Sequence, residues 1–149
     1  MSDRTIGNVL GIALRTRPKG PMQPIAKATA VRDRGLVGDV ASRPDRAITL
    51  IAAEQWKQVT TELSADLPWH TRRANVLVDA ASLADLIGKT IHVGNVEVRV
   101  VAESKPCGLM DRLHPGLRDA LATDGRGGIY GRINCDGDIC VGDPVRVAT

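Results

Sequence analysis

Apolar and polar positions alternate with a period of two along much of the chain, the pattern of half-buried strands. Ile6–Leu14, I-G-N-V-L-G-I-A-L, predicts a first strand whose glycines imply a bend or a close backbone approach. A loop with three prolines follows, R-T-R-P-K-G-P-M-Q-P, and Ile25–Val31 predicts a second strand. A charged, glycine-bearing loop, R-D-R-G-L-V-G-D, precedes a short strand at Ile48–Ile51. The spacing then changes. Ala52, Trp56, Val59 and Leu63 recur at helical intervals, predicting a helix over Ala52–Leu63, with Pro68 beyond its end.

Arg73–Asp79 returns to the strand pattern through N-V-L-V. S-L-A-D-L-I-G-K predicts a short helix with Ser82 as cap, Asp85 at the capping-box position and Gly88 as stop. Ile91–Ala102 predicts a hairpin turned at Gly94-Asn95. Pro115 opens another short helix, and Ile129–Val147 predicts closing strands turned at Asp136-Gly137 and Gly142-Asp143. Many short strands, few helices and frequent turns predict a mainly β fold. The expected architecture is a closed or nearly closed mixed β-barrel with a few short flanking helices. No repeat or long linker divides residues 1–149, so a single domain is expected.

Composition narrows the function classes. Phe is absent, and Tyr130, Trp56 and Trp69 are the only aromatics, so the core must come from Val, Ile, Leu and Ala. Scarce aromatics remove the stacking platforms of single-stranded nucleic-acid binders. A net charge of +3 without a dense basic run fits a small anionic ligand better than a nucleic-acid backbone. No apolar run reaches the length that spans a bilayer, and the N-terminus lacks a signal-peptide core. No membrane or nucleic-acid partner and a cytoplasmic location are therefore expected. Cys107, Cys135 and Cys140 are expected as free thiols, because a bridge across N-C-D-G-D-I-C has poor geometry. With His70, His92 and His114 scattered, no zinc-ligand spacing and no Cys-His catalytic set appears.

Four segments carry candidate chemistry. In G-L-V-G-D, Gly38 allows a close backbone approach and Asp39 can bond a polar group or orient an arginine; taken alone, the segment reads more simply as a turn needing positive φ. In T-R-R-A-N, Arg72, Arg73 and Asn75 suit a phosphate-like anion, unless they form a solvated strand end. Continued alternation would put Arg73 and Asn75 on one face and Arg72 on the other. In K-P-C-G-L-M, Cys107 stands where a strand ends, between a proline and a glycine. It is either an inert packed cysteine or a thiolate, helped by Lys105 and by the N-terminus of a helix beginning in L-M-D-R-L. In D-G-R-G-G, the loop amides and Arg126 either wrap an oxyanion or form a flexible connector.

The order of these segments resembles the MOSC family, named for the C-terminal domain of molybdenum-cofactor sulfurases. The resemblance runs from Gly35 to Val147, through G-L-V-G-D, A-I-T-L-I-A-A-E-Q-W, T-R-R-A-N-V-L-V, L-I-G-K-T-I-H-V-G, Pro106-Cys107 with Met110, G-G-I-Y-G-R-I and V-G-D-P-V. It implies a β-rich barrel and a molybdenum cofactor (molybdopterin), with Cys107 as sulfur ligand to the metal or as carrier of a persulfide. It places Arg73 and Asn75 near the pterin phosphate and Gly38 and Asp39 around the same pocket. Pyridoxal phosphate binding is a further expectation of the same kind. Arg126 is added on chemistry alone. The functions implied are a molybdenum-dependent reductase of N-hydroxylated compounds or a carrier of cofactor or sulfur. A non-catalytic module binding a small anion or a partner is the alternative. Electrons or sulfur would come from a separate electron-transfer or desulfurase protein.

Overall fold

Strand β1, Asp3–Arg15, is long enough to serve three neighbours in succession, and the rest of the fold is organised around it. The structure is a computed structural model and describes residues 3–40 and 43–148. The remaining strands are β2 (Met22–Ile25), β3 (Lys27–Val31), β4 (Gly35–Leu36), β5 (Ile48–Ala52), β6 (Val76–Val78), β7 (Thr90–Val93), β8 (Val96–Glu103), β9 (Ile129–Ile133), β10 (Gly137–Cys140) and β11 (Pro144–Ala148). Three short helices accompany them: α1 (Ala53–Glu62), α2 (Gly108–Leu113) and α3 (Leu117–Ala122).

Seven strands close a mixed β-barrel in the order β1-β11-β7-β8-β9-β5-β6 and back to β1. The N-terminal part of β1 pairs with β11, its middle with β6 and its last four residues with β2. Register shifts between Thr5 and Gly7 and between Val9 and Gly11 bend the strand from one partner to the next. A three-stranded sheet, β10-β3-β4, packs Ala28, Ala30, Leu36 and Ile139 into the same apolar cluster as the barrel interior.

Most barrel pairs are antiparallel, as the hairpin signals require, and β7 and β8 form the hairpin at Gly94-Asn95. One pair departs from that pattern. β5 and β6 run parallel, joined by the α1 crossover. The sequence marks this locally: Ile48–Ala52 is apolar or β-branched throughout and buried at every position. Leu50 faces the barrel, while Ile51 packs outward with Trp56, Val59, Met110, Leu117 and Leu121. That second cluster fastens all three helices to one side of the barrel.

Helix α1 starts one residue later than its periodicity predicts, and the segment at Ser82 forms a single 3-10 turn, Ala84–Leu86, instead of a helix. Ser82 Oγ still accepts a bond from Ala84 N at 3.2 Å. Among the described residues, no helix is long and apolar enough to cross a membrane.

Barrel closure leaves no room beside β9 at Gly131. A Cβ there would strike the Arg99 carbonyl of β8 and lie 2.8 Å from Val98 Cγ1. Gly131→Ala should therefore lower stability by about 1–3 kcal/mol through overpacking. Urea unfolding should show an earlier midpoint at unchanged slope. Gly108→Ala, which meets nothing within 4 Å, is the control and should leave the midpoint unchanged.

Candidate functional site

Pro68 cannot continue the preceding chain as helix, and the backbone enters a 3-10 turn over Trp69–Arg72. Arg73 then adopts the left-handed conformation, φ 67° and ψ 31°, its amide bonding the His70 carbonyl at 2.9 Å. The strand alternation expected from Arg73 onward therefore fails, since β6 begins only at Val76. A non-glycine residue held this way costs on the order of 1–3 kcal/mol, and such strain concentrates at functional positions. Its effect is to turn Arg72 inward and leave Arg73 half-buried.

Arg72 is buried without an acidic partner. Its Nε donates to the Gly127 carbonyl at 3.0 Å, and Nη2 donates to Ser104 O at 2.8 Å and Ser104 Oγ at 3.0 Å. Nη1 reaches only Met110 Sδ, at 3.9 Å. Gly127 must be glycine for this, because a Cβ would strike the Ser104 carbonyl and press on Pro106 Cδ at 3.3 Å. Burial, with Arg46 close by, pushes the Arg72 guanidinium down to about 10, while negative charge at Cys107 favours its protonated form. The group still stays charged near neutral pH. Burying that charge is unfavourable, and its cost to stability would be relieved only as pH rises past about 10.

Arg46 adds a second cation. It stacks 4.6 Å over the Tyr130 ring and donates to Ser104 Oγ at 3.3 Å, so two guanidiniums share one hydroxyl. Arg73 donates to the Gly20 carbonyl. Its pKa is lowered by burial and by Arg15, and raised by Asp39 and Cys107.

Arg15, Asp39 and Asn75 form the back of the site. Gly38 turns the chain at φ +88° and sends the Asp39 side chain inward, where it has no exposure. Asp39 Oδ1 accepts from Arg15 N at 2.6 Å and Asn75 Nδ2 at 3.3 Å, and Oδ2 accepts from Arg15 Nη2 at 3.2 Å. Asn75 is fully buried. Its Oδ1 accepts from Thr49 N and Oγ1, and its Nδ2 also donates to the Ala13 carbonyl. Asp39 and Asn75 are thus braces that tie β1, β5 and β6 together; they do not line the hollow.

The hollow itself has a volume of about 260 Å³. Its buried wall includes Thr49, Arg72, Ala74 and Met110, with Arg15, Arg46 and Arg73 around them. Lys105 and Cys107 form its exposed rim. Cys107 is a free thiol in extended backbone just before α2, and its sulfur makes no capping bond. Cys135 and Cys140 are also free thiols. No acidic residue lines the hollow, and among the described residues no carboxylate pairs with Arg46, Arg72 or Arg73.

Fold and rim therefore bring Arg72, Arg73, Lys105 and Cys107 together, with Gly38, Asp39 and Asn75 behind them. Arg126 lies apart. Both its terminal nitrogens bond Glu62, at 2.9 and 2.8 Å, which raises its pKa and lowers that of Glu62. The loop amides of Arg126 and Gly128 close local turns onto Thr123 and Gly125. The D-G-R-G-G loop serves the site through the Gly127 carbonyl, an acceptor for Arg72, and not through an amide nest. Sequence reasoning missed Arg15, Arg46 and Ser104. The basic run R-T-R-P-K holds a signal for Arg15, whereas nothing local distinguishes Arg46 or Ser104.

The residues describe a small, closed seven-stranded mixed β-barrel with an unneutralised guanidinium cluster beside an exposed thiol. The sequence model of the MOSC domain matches residues 37–146, and the chain belongs to that family. The fold is similar to YuaD from Bacillus subtilis, at TM-score 0.80 and 17% identity, covering 98% of each chain. It is also similar to YiiM from Escherichia coli, at TM-score 0.72 and 14% identity, covering 95% of this chain and 70% of that one. YiiM from Geobacillus stearothermophilus gives TM-score 0.72 and 18% identity over 99% of this chain and 76% of that one. No curated protein sequence matches the chain.

Two outcomes test this geometry. Asn75→Ala strands the Thr49 amide and the Ala13 carbonyl and removes a donor from Asp39, so chemical unfolding should show a loss of about 2–4 kcal/mol. Glu62→Gln should destabilise at neutral pH. Because the Glu62 pKa is lowered by Arg126, the difference from wild type should close as pH falls below the ordinary carboxylate value of 4.5.

Proposed function

We propose that the hollow holds the anionic end of a molybdenum cofactor of the pterin type, with Cys107 as the protein's sulfur toward the metal or toward a transferable sulfur. The MOSC family is associated with molybdenum-cofactor binding, and the residues of this chain fit such a guest. The observation that carries the reading is the cation set: Arg46, Arg72 and Arg73 surround one small space with no acidic lining residue. Such an arrangement is unfavourable by itself and becomes favourable when an anion enters. About 260 Å³ lies just below the roughly 300–1,000 Å³ of sites that enclose drug-sized ligands. It suits a phosphate end better than a whole multi-ring cofactor.

The roles follow from position. Arg73 and Arg46 grip and orient the anion as guanidinium donors. Arg72, pinned by Ser104 and Gly127, supplies fixed positive charge at the base and cannot swing away. Lys105 adds charge at the rim. When bound, molybdenum supplies the redox chemistry, and the soft thiolate is a suitable ligand for it. Among the described residues no group of three or more His, Cys, Asp or Glu is placed to hold a metal ion. On this reading Cys107 would be the chain's own donor to the metal. Reduction of an N-hydroxylated compound would draw electrons from a separate protein.

The exposure of Cys107 supports a second reading, sulfur transfer. Its thiolate attacks the outer sulfur of a desulfurase persulfide. A new S–S bond forms on Cys107, the donor S–S bond breaks, and the donor cysteine leaves as thiolate, with no net oxidation.

Freshly purified wild-type protein should carry molybdenum and a pterin by elemental and fluorescence analysis, or one added sulfur on Cys107 by intact mass after incubation with a desulfurase. Cys107→Ala should carry less molybdenum and pterin together, or take up no sulfur. Inorganic phosphate at about a hundred times its Kd should stabilise wild type by about 2.7 kcal/mol, and Arg73→Gln should lose most of that gain. Absence of metal, pterin and added sulfur, together with no phosphate effect beyond that of chloride at equal ionic strength, would overturn the proposal.

A further inference from the structure

A second cavity of about 320 Å³ adjoins the hollow, and Arg73 lines both. Its chemistry is different. Pro21, Met22, Pro68 and Leu113 contribute most of the apolar wall, and Lys19, His70 and Thr71 contribute polar groups besides Arg73. No acidic residue lines it. Leu113 is 45% exposed, an apolar side chain left facing open space at the end of α2. Helix α2 joins the two compartments, since Cys107 precedes its first residue and Leu113 is its last. Six helical residues rise about 9 Å, so the thiol and the apolar wall are separated by roughly the length of a small ring-bearing molecule.

Arg73 is the partition. Its left-handed backbone and its bond to the Gly20 carbonyl fix the guanidinium between the spaces. A cluster of guanidiniums on one side and a mainly apolar wall on the other select a molecule with two unlike ends. We infer that the second cavity is a subsite for the apolar, ring-sized body of a ligand whose anionic end sits in the arginine hollow. The ligand class is thus an aryl or arylalkyl anion, and its anionic end is held on the Cys107 side of Arg73. The inference rests on the anion-binding reading of the hollow; an aryl anion and the phosphate end of a pterin-type cofactor would compete for the same arginines.

Calorimetric titration of the full chain with inorganic, phenyl, benzyl and phenethyl phosphate tests it. The best aryl phosphate should bind at least about tenfold tighter than inorganic phosphate, from burial of one ring. Leu113→Asn removes part of the wall, and Thr71→Phe fills the space. Both variants should lose the aryl gain and keep the affinity for inorganic phosphate. Equal affinities across the series, or a gain that survives both substitutions, would overturn the subsite. If inorganic phosphate itself does not bind, the anion reading fails separately. Benzyl alcohol then probes the cavity alone: shifts of the Met22 and Leu113 methyl resonances support the apolar subsite, and their absence overturns it.

Discussion

A guanidinium buried without a carboxylate is the constraint on which the site depends. Arg72 has lost water and gained only carbonyl and hydroxyl acceptors, from Gly127 and Ser104. Neutral acceptors satisfy its hydrogen bonds but leave its charge uncompensated. Arg46 adds a like charge through the same Ser104 hydroxyl. The barrel tolerates this because the opposing side of the hollow is open to solvent and to a guest. That uncompensated field is the physical ground of the anion binding proposed above.

The fold supplies the rigidity that such a field needs. Arg72 and Asn75 leave the same short segment in different directions, one toward Ser104 and Gly127, the other toward Thr49 and Ala13. Asn75 connects β1, β5 and the start of β6 across the only parallel pair among the described strands. Asp39 reaches the same place from the loop after β4 and neutralises Arg15, so the open positive charge belongs to Arg46, Arg72 and Arg73. The outer cluster of Ile51, Trp56, Val59, Met110, Leu117 and Leu121 then holds α2 against the barrel, which sets Cys107 at the rim.

Much of the barrel was legible in the chain because strand periodicity and turn residues are local signals. The β7–β8 hairpin at Gly94-Asn95 and the helix from Ala53 follow from such signals. Two features did not. The register shifts in β1 depend on which partner each part of the strand meets, and the segment at Arg73 looks like strand until Pro68 and the 3-10 turn divert it. The fate of Arg126 was equally hidden, because Glu62 lies 64 residues away and meets it only after α1 packs beside the glycine loop.

The sequence by itself determined a β-rich barrel poor in aromatics, a cysteine at a strand exit, and arginines beside an asparagine, since each is a matter of residue type and short spacing. Tertiary structure alone decided which cations share a space. Arg15, Arg46, Arg72, Arg73 and Lys105 come from four separate stretches, and only barrel closure sets them around one hollow. It also decided that Asp39 and Asn75 brace the wall and that Arg126 pairs elsewhere. The physical reason is that charge and burial depend on distances through space, which spacing along a chain does not encode.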